Sequence, residues 1–366
     1  MRIGILTHHK VHNHGAILQM FALIRTLEEK GHQVQVLDFK RNFDYVGVEM
    51  ENKYSLSLRS IPFYTKYILQ NGLKRTFYNF QKKRTLGRFY KENKVMGAYF
   101  SRAKDLDGVF IGSDEVFSID IGLTPCLWSF GVPCDVVCSY AASFGPTNLE
   151  DNRQKKVAGL MTAGLKQMNK VAVRDQNSKS IVHILFDKEC VLTCDPVILY
   201  GYPKTLATAQ RPVDEKYVLV YSYDANMNEP EEVKVVRDYA APIGAKVYSV
   251  GFFHKWCDRS INVSPIELLQ WIKHAELVVT DTFHGCVMSI VANTEFVVKI
   301  RGNGNKVRNL LEEYLLTSRI SDFPKLLGQV ADQAIDWQAV NQQVSERRAQ
   351  SMTYLDSCLE LMKHGK

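Results

Sequence analysis

No CxxC pair occurs in this chain of 366 residues, and its eight cysteines are scattered at Cys126, Cys134, Cys138, Cys190, Cys194, Cys257, Cys286 and Cys358. The Cys134/Cys138 and Cys190/Cys194 spacings lack the nearby partners that a structural zinc site needs. Several of these residues fall inside apparent strands such as CDVVCSY, so buried thiols are expected rather than disulfides. The opening MRIGILTHHK lacks both the long apolar core and the small-residue cleavage site of a secretory signal. No later run approaches the roughly 20 apolar residues of a spanning helix. These absences lead to the expectation of a cytoplasmic protein, either free or peripheral at the inner membrane surface. Acidic residues are missing locally as well. Residues 53 to 91 hold ten Lys or Arg and no Asp or Glu, within a chain of net charge +7.

What is present is ordinary for a globular enzyme: 46% hydrophobic and 23% charged residues, too apolar for a disordered chain. Compact domains run about 100 to 200 residues, so two are expected. The basic segment interleaves its charges with aromatics, among them Tyr54, Phe63, Tyr64, Tyr67, Phe77, Tyr78, Phe80, Phe89 and Tyr90. It reads as a helical insertion at about 53–100 that admits three uses. Its aromatics can be core and its lysines solvated, it can meet an anionic membrane or lipid phosphate, or it can meet nucleic acid. The membrane is carried forward as a partner and nucleic acid is not.

The first forty residues alternate strand, turn, helix and strand. RIGILTH is apolar, GAILQMFALIRTLEEKG recurs at helical spacing and stops at Gly31, and QVQVLDF resumes a strand. DGVFIGSD (107–114), CDVVCSYAASF (134–144) and KVAVRD (170–175) add strands, and the first domain closes around VLTCDPVI. A second alternation follows: YVLVYSYD, a helix from about 229, AKVYSVGF, a helix from 264, ELVVTD, a helix from 283, and FVVKIR. Ser264, Pro265 and Glu267 spell a capped helix start. The fold class is therefore α/β, with two Rossmann-like domains of parallel sheet, at 1–200 and 201–335, and a helix at 336–366 packing across. Ligands are expected at the carboxyl ends of the strands, in a cleft between the domains.

Candidate chemistry sits at those strand ends. THHKVHNHGAILQ places His8, His9, His12 and His14 where strand one becomes helix one. Metal ligation is disfavoured by their spacing. The alternatives are a turn at Asn13, His14 and Gly15 whose N–H groups face an anion or a sugar hydroxyl, and an unliganded structural turn. In IGSDEVF, Ser113 and Asp114 stand at the sheet edge, where a carboxylate can accept from sugar hydroxyls or act as a base; an Asx-turn is the structural alternative. VAVRDQNS brings Arg174, suited to a forked grip on carboxylate or phosphate, and Asp175, with which it can also form a surface pair. LVVTDTFHGCVMSIVAN sets Asp281, Thr282, His284 and Gly285 at a helix N-terminus, where His284 can donate to an anion or supply a proton. RGNGNKVRNL adds Arg301, Lys306 and Arg308 around a glycine-bearing loop.

Taken in order, THHKVHNHGAILQ, GSDEVF, YAASFG, VRDQNS, CDPV, TFHG and NKVRNLLEEYLLTSR resemble the polysaccharide pyruvyl transferase family over most of the chain. The resemblance implies a GT-B-like pair of Rossmann domains. It also implies transfer of a carboxyethylidene group from phosphoenolpyruvate to two hydroxyls of a sugar, forming a ketal and needing neither metal nor organic cofactor. The acceptor would be a lipid-linked or nucleotide-linked sugar. Carried over by position, Arg174 and His284 bind the donor and support catalysis, with Thr282 and Gly285 beside them. Asp114, Ser113 and the Asn13–Gly15 turn are assigned to the acceptor side by their place at strand ends. Histidines crowd the first turn where Asn and an aromatic are expected, and Glu115 and Phe117 stand where Gln and Trp are frequent. These departures bear on the acceptor more than on the donor. A glycosyltransferase using a nucleotide sugar and a non-catalytic carbohydrate- or lipid-binding protein are the other readings.

Overall fold

The computed structural model describes residues 1–40, 61–119, 123–150, 157–302, 304–322 and 327–365, and of 61–71 the backbone alone. Two parallel five-stranded sheets organise the chain. The first has the order β3-β2-β1-β4-β5, with β1 Arg2–Leu6, β2 Gln33–Asp38, β3 Met96–Tyr99, β4 Gly108–Ile111 and β5 Val137–Ser139. The pair β6 (Ala172–Val173) and β7 (Val191–Leu192) continues it through the bridges Cys138–Lys170 and Ala142–Val173. The second has the order β10-β9-β8-β11-β12, with β8 Tyr217–Tyr221, β9 Lys246–Val250, β10 Arg259–Ile261, β11 Leu277–Thr280 and β12 Phe296–Val298. Central strands such as YVLVY and LVVT are buried along their whole length, as a parallel sheet covered on both faces requires.

Helix α1 (His14–Glu29) explains why GAILQMFALI is apolar almost all round. It lies between the two sheets, packing on β2 and on α4 (Pro265–Lys273) of the second domain, and buries thirteen of its sixteen residues. A helix apolar on every face belongs in a core. The main hydrophobic core accordingly runs without a break from Ile3 and Ile5 through Phe21 to Val278 and Phe296. Asn13 caps α1 by accepting from the N–H groups of Gly15 and Ala16. At α4, Ser264 and Glu267 exchange both bonds of a capping box. The C-terminal helix α7 (Trp337–His364) starts beside the second sheet, where the Trp337 indole donates to Glu295. It ends under the first, where Tyr354 donates to the Ser139 carbonyl and Met362 packs on Gly108.

The basic segment is placed differently from an insertion. Helix α2 (Ile61–Asn93) is the crossover that joins β2 to its parallel neighbour β3, and it bends at Gly72, whose φ is 74°. MGAY and RSI, the edge strands β3 and β10, went unread because they are short and carry no apolar alternation. Residues 53–60 of the basic run, with Lys53, Tyr54 and Arg59, lie outside the described residues. Lys82 is not solvated: it is buried against the second domain, its ammonium 4.1 Å from the Phe252 ring centroid. Burial pushes that ammonium down to about 8, although Asp224 opposes the shift. All eight cysteines are free thiols, seven of them buried. Among the described residues no helix is long and apolar enough to cross a membrane.

Candidate active site

Thr7 and His8 follow β1, Ser113 and Asp114 follow β4, Tyr223 follows Tyr221 at the end of β8, and Asp281 and Thr282 follow β11. The pairs β1/β4 and β8/β11 are where the strand order reverses in each sheet, and ligands of open α/β sheets bind outside the carboxyl ends at such points. Loops from all four strands line one cleft of about 260 Å³, with Arg174, Phe252, Arg301 and Lys306 completing its walls.

Arg174 and His284 come together over Asp195. This carboxylate is fully buried; its Oδ1 accepts from the Val197 N–H at 2.9 Å and its Oδ2 from Arg174 Nη1 at 3.1 Å. His284 Nε2 stands 3.8 Å from the same Oδ2. The Arg174 guanidinium lies 4.0 Å over the ring of Phe283 and 4.0 Å from Asp114 Oδ1. Its orientation is thus held by a carboxylate below, an aromatic face beside it and a second carboxylate across it. Arg174 Nε and His284 Nε2 are buried without a hydrogen bond to the protein, a state that costs about 1–3 kcal/mol per group unless a ligand satisfies it.

The charges depend on one another. Burial holds the His284 imidazole below its ordinary pKa, with Arg174 and Lys306 acting in the same sense and Asp195 and Asp114 opposing. Burial works against the Asp114 carboxylate, but His284, Arg174, His8 and Lys306 outweigh it and hold the group at about 2. Ionised among these groups, Asp114 can accept hydrogen bonds and stabilise positive charge on His284. Across the cleft Lys306 of the second domain pairs with Glu115 of the first, and within the second domain Arg301 pairs with Asp281 and Glu232.

The residues singled out in the sequence divide into two groups. Asp114, Arg174 and His284 converge on the cleft, and Asn13 joins them, its amide 3.4 Å from the Tyr223 hydroxyl. Asp281, Arg301 and Lys306 line it as well, whereas Ser113, Thr282, Gly285, His14, Gly15 and Asp175 are occupied within the fold. The Ser113 hydroxyl turns inward to Gln19. Thr282 lines the cleft, but its hydroxyl accepts from the Gly285 N–H at 2.9 Å, so both groups close the cap of helix α5 (Phe283–Ala292). His14 is buried with Nε2 at 2.9 Å from the Val263 carbonyl, and the Gly15 N–H is held by Asn13. The Asn13–Gly15 turn thus spends the Gly15 N–H, one of those expected to face an anion, on its own cap. Asp175 caps a helix through one carboxylate oxygen and accepts from the Ser143 hydroxyl through the other.

Gly15 has another use. A Cβ there would fall 2.6 Å from His284 Nδ1 and closer still to its Cγ and Cβ. The glycine of the opening turn makes room for the histidine of TFHG. The remaining histidines disperse: His9 meets Asp38 at 2.7 Å, His8 meets the Glu115 carbonyl at 3.1 Å, and His12 is exposed. Among the described residues no group of three or more His, Cys, Asp or Glu is placed to hold a metal ion. Asp195 was missed as a site residue, although CDPV carried its signal: an Asp before Pro at a helix start, on a strand end next to that of Arg174.

The profile of the family described as polysaccharide pyruvyl transferase matches residues 13–301, a span that holds every residue of the Arg174–Asp195–His284 group. The chain belongs to the polysaccharide pyruvyl transferase family. Among curated protein sequences none matches it at a significant level. In fold this pyruvyl transferase family member is similar to the UDP-N-acetylglucosamine 2-epimerase of Rickettsia bellii, at TM-score 0.53 and 7% identity over 99% of this chain and 97% of that one. It is also similar to a Methanocaldococcus jannaschii UDP-GlcNAc 2-epimerase in complex with UDP-GlcNAc and UDP, at TM-score 0.50 and 12% identity over 97% and 100%. Both likenesses extend over the full length, and the fold is the GT-B-like pair of Rossmann domains.

Proposed function

We propose that this transferase moves a carboxyethylidene group from phosphoenolpyruvate to two hydroxyls of a sugar in a surface-polysaccharide precursor. The observation that carries the reading is the convergence of Arg174 and His284 on Asp195 at the switch-point cleft of a pyruvyl transferase family member. Phosphoenolpyruvate presents a carboxylate and a phosphate. Arg174 offers its unpartnered Nε and fixed plane to one of them, and Lys306 can exchange Glu115 for the other. The arriving negative charge raises the proton affinity of His284, with Asp195 and Asp114 stabilising the imidazolium. His284 then protonates C3 of the enol as the first hydroxyl adds to C2. Phosphate leaves, and the second hydroxyl closes the ketal. Of the two hydroxyl protons, one ends on the new methyl group and the other on phosphate.

The acceptor side is the wall formed by Tyr223, 48% exposed, with Asn13 and Asp114. An aromatic face beside hydrogen-bonding groups suits a sugar ring, whether the sugar is lipid-linked or nucleotide-linked. No organic or metal cofactor enters this scheme. His284→Ala and His284→Gln test it. Gln keeps a donor for the anion but no transferable proton, so donor affinity should survive in Gln while turnover falls about 100-fold or more in both. A folded His284→Ala protein with parental turnover and donor affinity would remove His284 from the chemistry.

A further inference from the structure

We infer that helix α2 docks this protein on an anionic lipid bilayer, through a face whose pattern shows only once the helix is placed in the fold. Leu73, Phe77 and Phe80 are 75%, 62% and 58% exposed. At 3.6 residues per turn they share an arc of about 80° with Arg84, Arg88 and Lys91, all three exposed. The opposite face is committed to the protein. Tyr78, Lys82, Leu86 and Phe89 are buried, and the Tyr78 hydroxyl donates to the Ile261 carbonyl. Flanking these, Arg75 pairs with Asp224 and the Asn262 amide donates to Thr85.

Three large apolar side chains aligned on a solvent face are uncommon in a soluble protein and mark an interaction surface. Charge selects the occupant. From Leu73 to Lys91 the helix has no acidic residue, and its apolar turns run directly into Lys83, Arg84 and Arg88. A self-complementary contact between two copies would set cation against cation. Nucleic acid would pair the cations and leave the apolar stripe in water. An anionic bilayer takes both, the aromatics entering the headgroup boundary and the cations meeting phosphate. Because Lys82 on the inner face touches Phe252, which lines the cleft, a docked α2 holds the cleft close to the bilayer. That consequence for a lipid-linked acceptor rests on the function proposed above; the docking does not.

The test is sedimentation of the full chain with vesicles of phosphatidylcholine alone and of phosphatidylcholine mixed with phosphatidylglycerol. The parent should bind the anionic vesicles and lose affinity as salt rises. Lys83→Gln/Arg84→Gln/Arg88→Gln should weaken binding by about 100-fold, close to fivefold per cation, and flatten the salt dependence. Leu73→Ser/Phe77→Ser/Phe80→Ser should weaken binding while keeping a salt dependence. Turnover on a soluble acceptor should not change in either variant. Equal binding of both variants and the parent overturns the inference. So does failure of the parent to bind anionic vesicles, or self-association of the parent that the serine variant abolishes without any vesicle binding.

Discussion

Gly15→Ala should disable the enzyme without unfolding it. The new methyl would stand 2.3 Å from His284 Cγ, against an ordinary contact of 3.4 Å or more, so the side chain must retreat by about 1.1 Å. It cannot do so freely, because it is packed on Phe283 with Asp195 beneath it. Overpacking of this kind costs about 1–3 kcal/mol, which a melting curve will register as a modest fall. Misplacing a reacting group by about 1 Å costs on the order of 100-fold in rate. Gly15→Ala should therefore lose about two orders of magnitude in kcat, with a much smaller change in the KM for phosphoenolpyruvate, because Arg174 is not in the path of the methyl. Gly159→Ala is the control: a Cβ there meets nothing within 4 Å, and both rate and stability should hold. A folded Gly15→Ala enzyme with parental kcat would refute the claim that the opening turn exists to seat His284.

Other substitutions probe the site and its surroundings. Arg174→Lys keeps the charge but loses the planar fork, so the dissociation constant for phosphoenolpyruvate should rise by the equivalent of about 1.5–3 kcal/mol; unchanged binding in a titration would detach Arg174 from the donor. Glu115→Gln releases Lys306 from its half-exposed ion pair, a contact worth up to about 1 kcal/mol, and the KM for the donor should fall two- to fivefold; a rise would contradict the exchange proposed for Lys306. His14 is lowered to about 3 by burial and by Lys82, so its folded form resists protonation that the unfolded chain accepts near 6.5. Stability from this group is present above pH 6.5 and drains away as pH falls, by roughly 2 kcal/mol at pH 5. Denaturant titrations of His14→Gln should show a shallower acid limb than the parent, and parallel limbs would rule His14 out as its source.

The sequence disclosed elements wherever local chemistry and tertiary context agree. The Asn13, Ser264 and Thr282 caps follow from residue types placed just before apolar helices, and the buried parallel strands follow from YVLVY and LVVT. Arg174 and His284 were legible because each ends a strand of a different sheet, and topology alone brings such ends to one cleft. Asp195 was hidden because its role depends on contact with Arg174, 21 positions away, and with His284 of the other domain. Ser113 misled because a strand end does not reveal which way its side chain turns; here Gln19 of α1 holds it inward. Composition could not separate the solvated lysines of α2 from Lys82, since that distinction needs the partner surface around Phe252.

The central claim is tested most directly by incubating the protein with phosphoenolpyruvate labelled with carbon-13 at C2 and a panel of lipid-linked and nucleotide-linked sugars, following the label by NMR and counting phosphate. The account predicts one acceptor in which the label becomes a quaternary ketal carbon bearing a methyl and a carboxylate, with one phosphate released per group transferred and release slowed about 100-fold or more in His284→Ala. Absence of phosphate release with every acceptor, together with turnover of a nucleotide sugar by the same preparation, would contradict it.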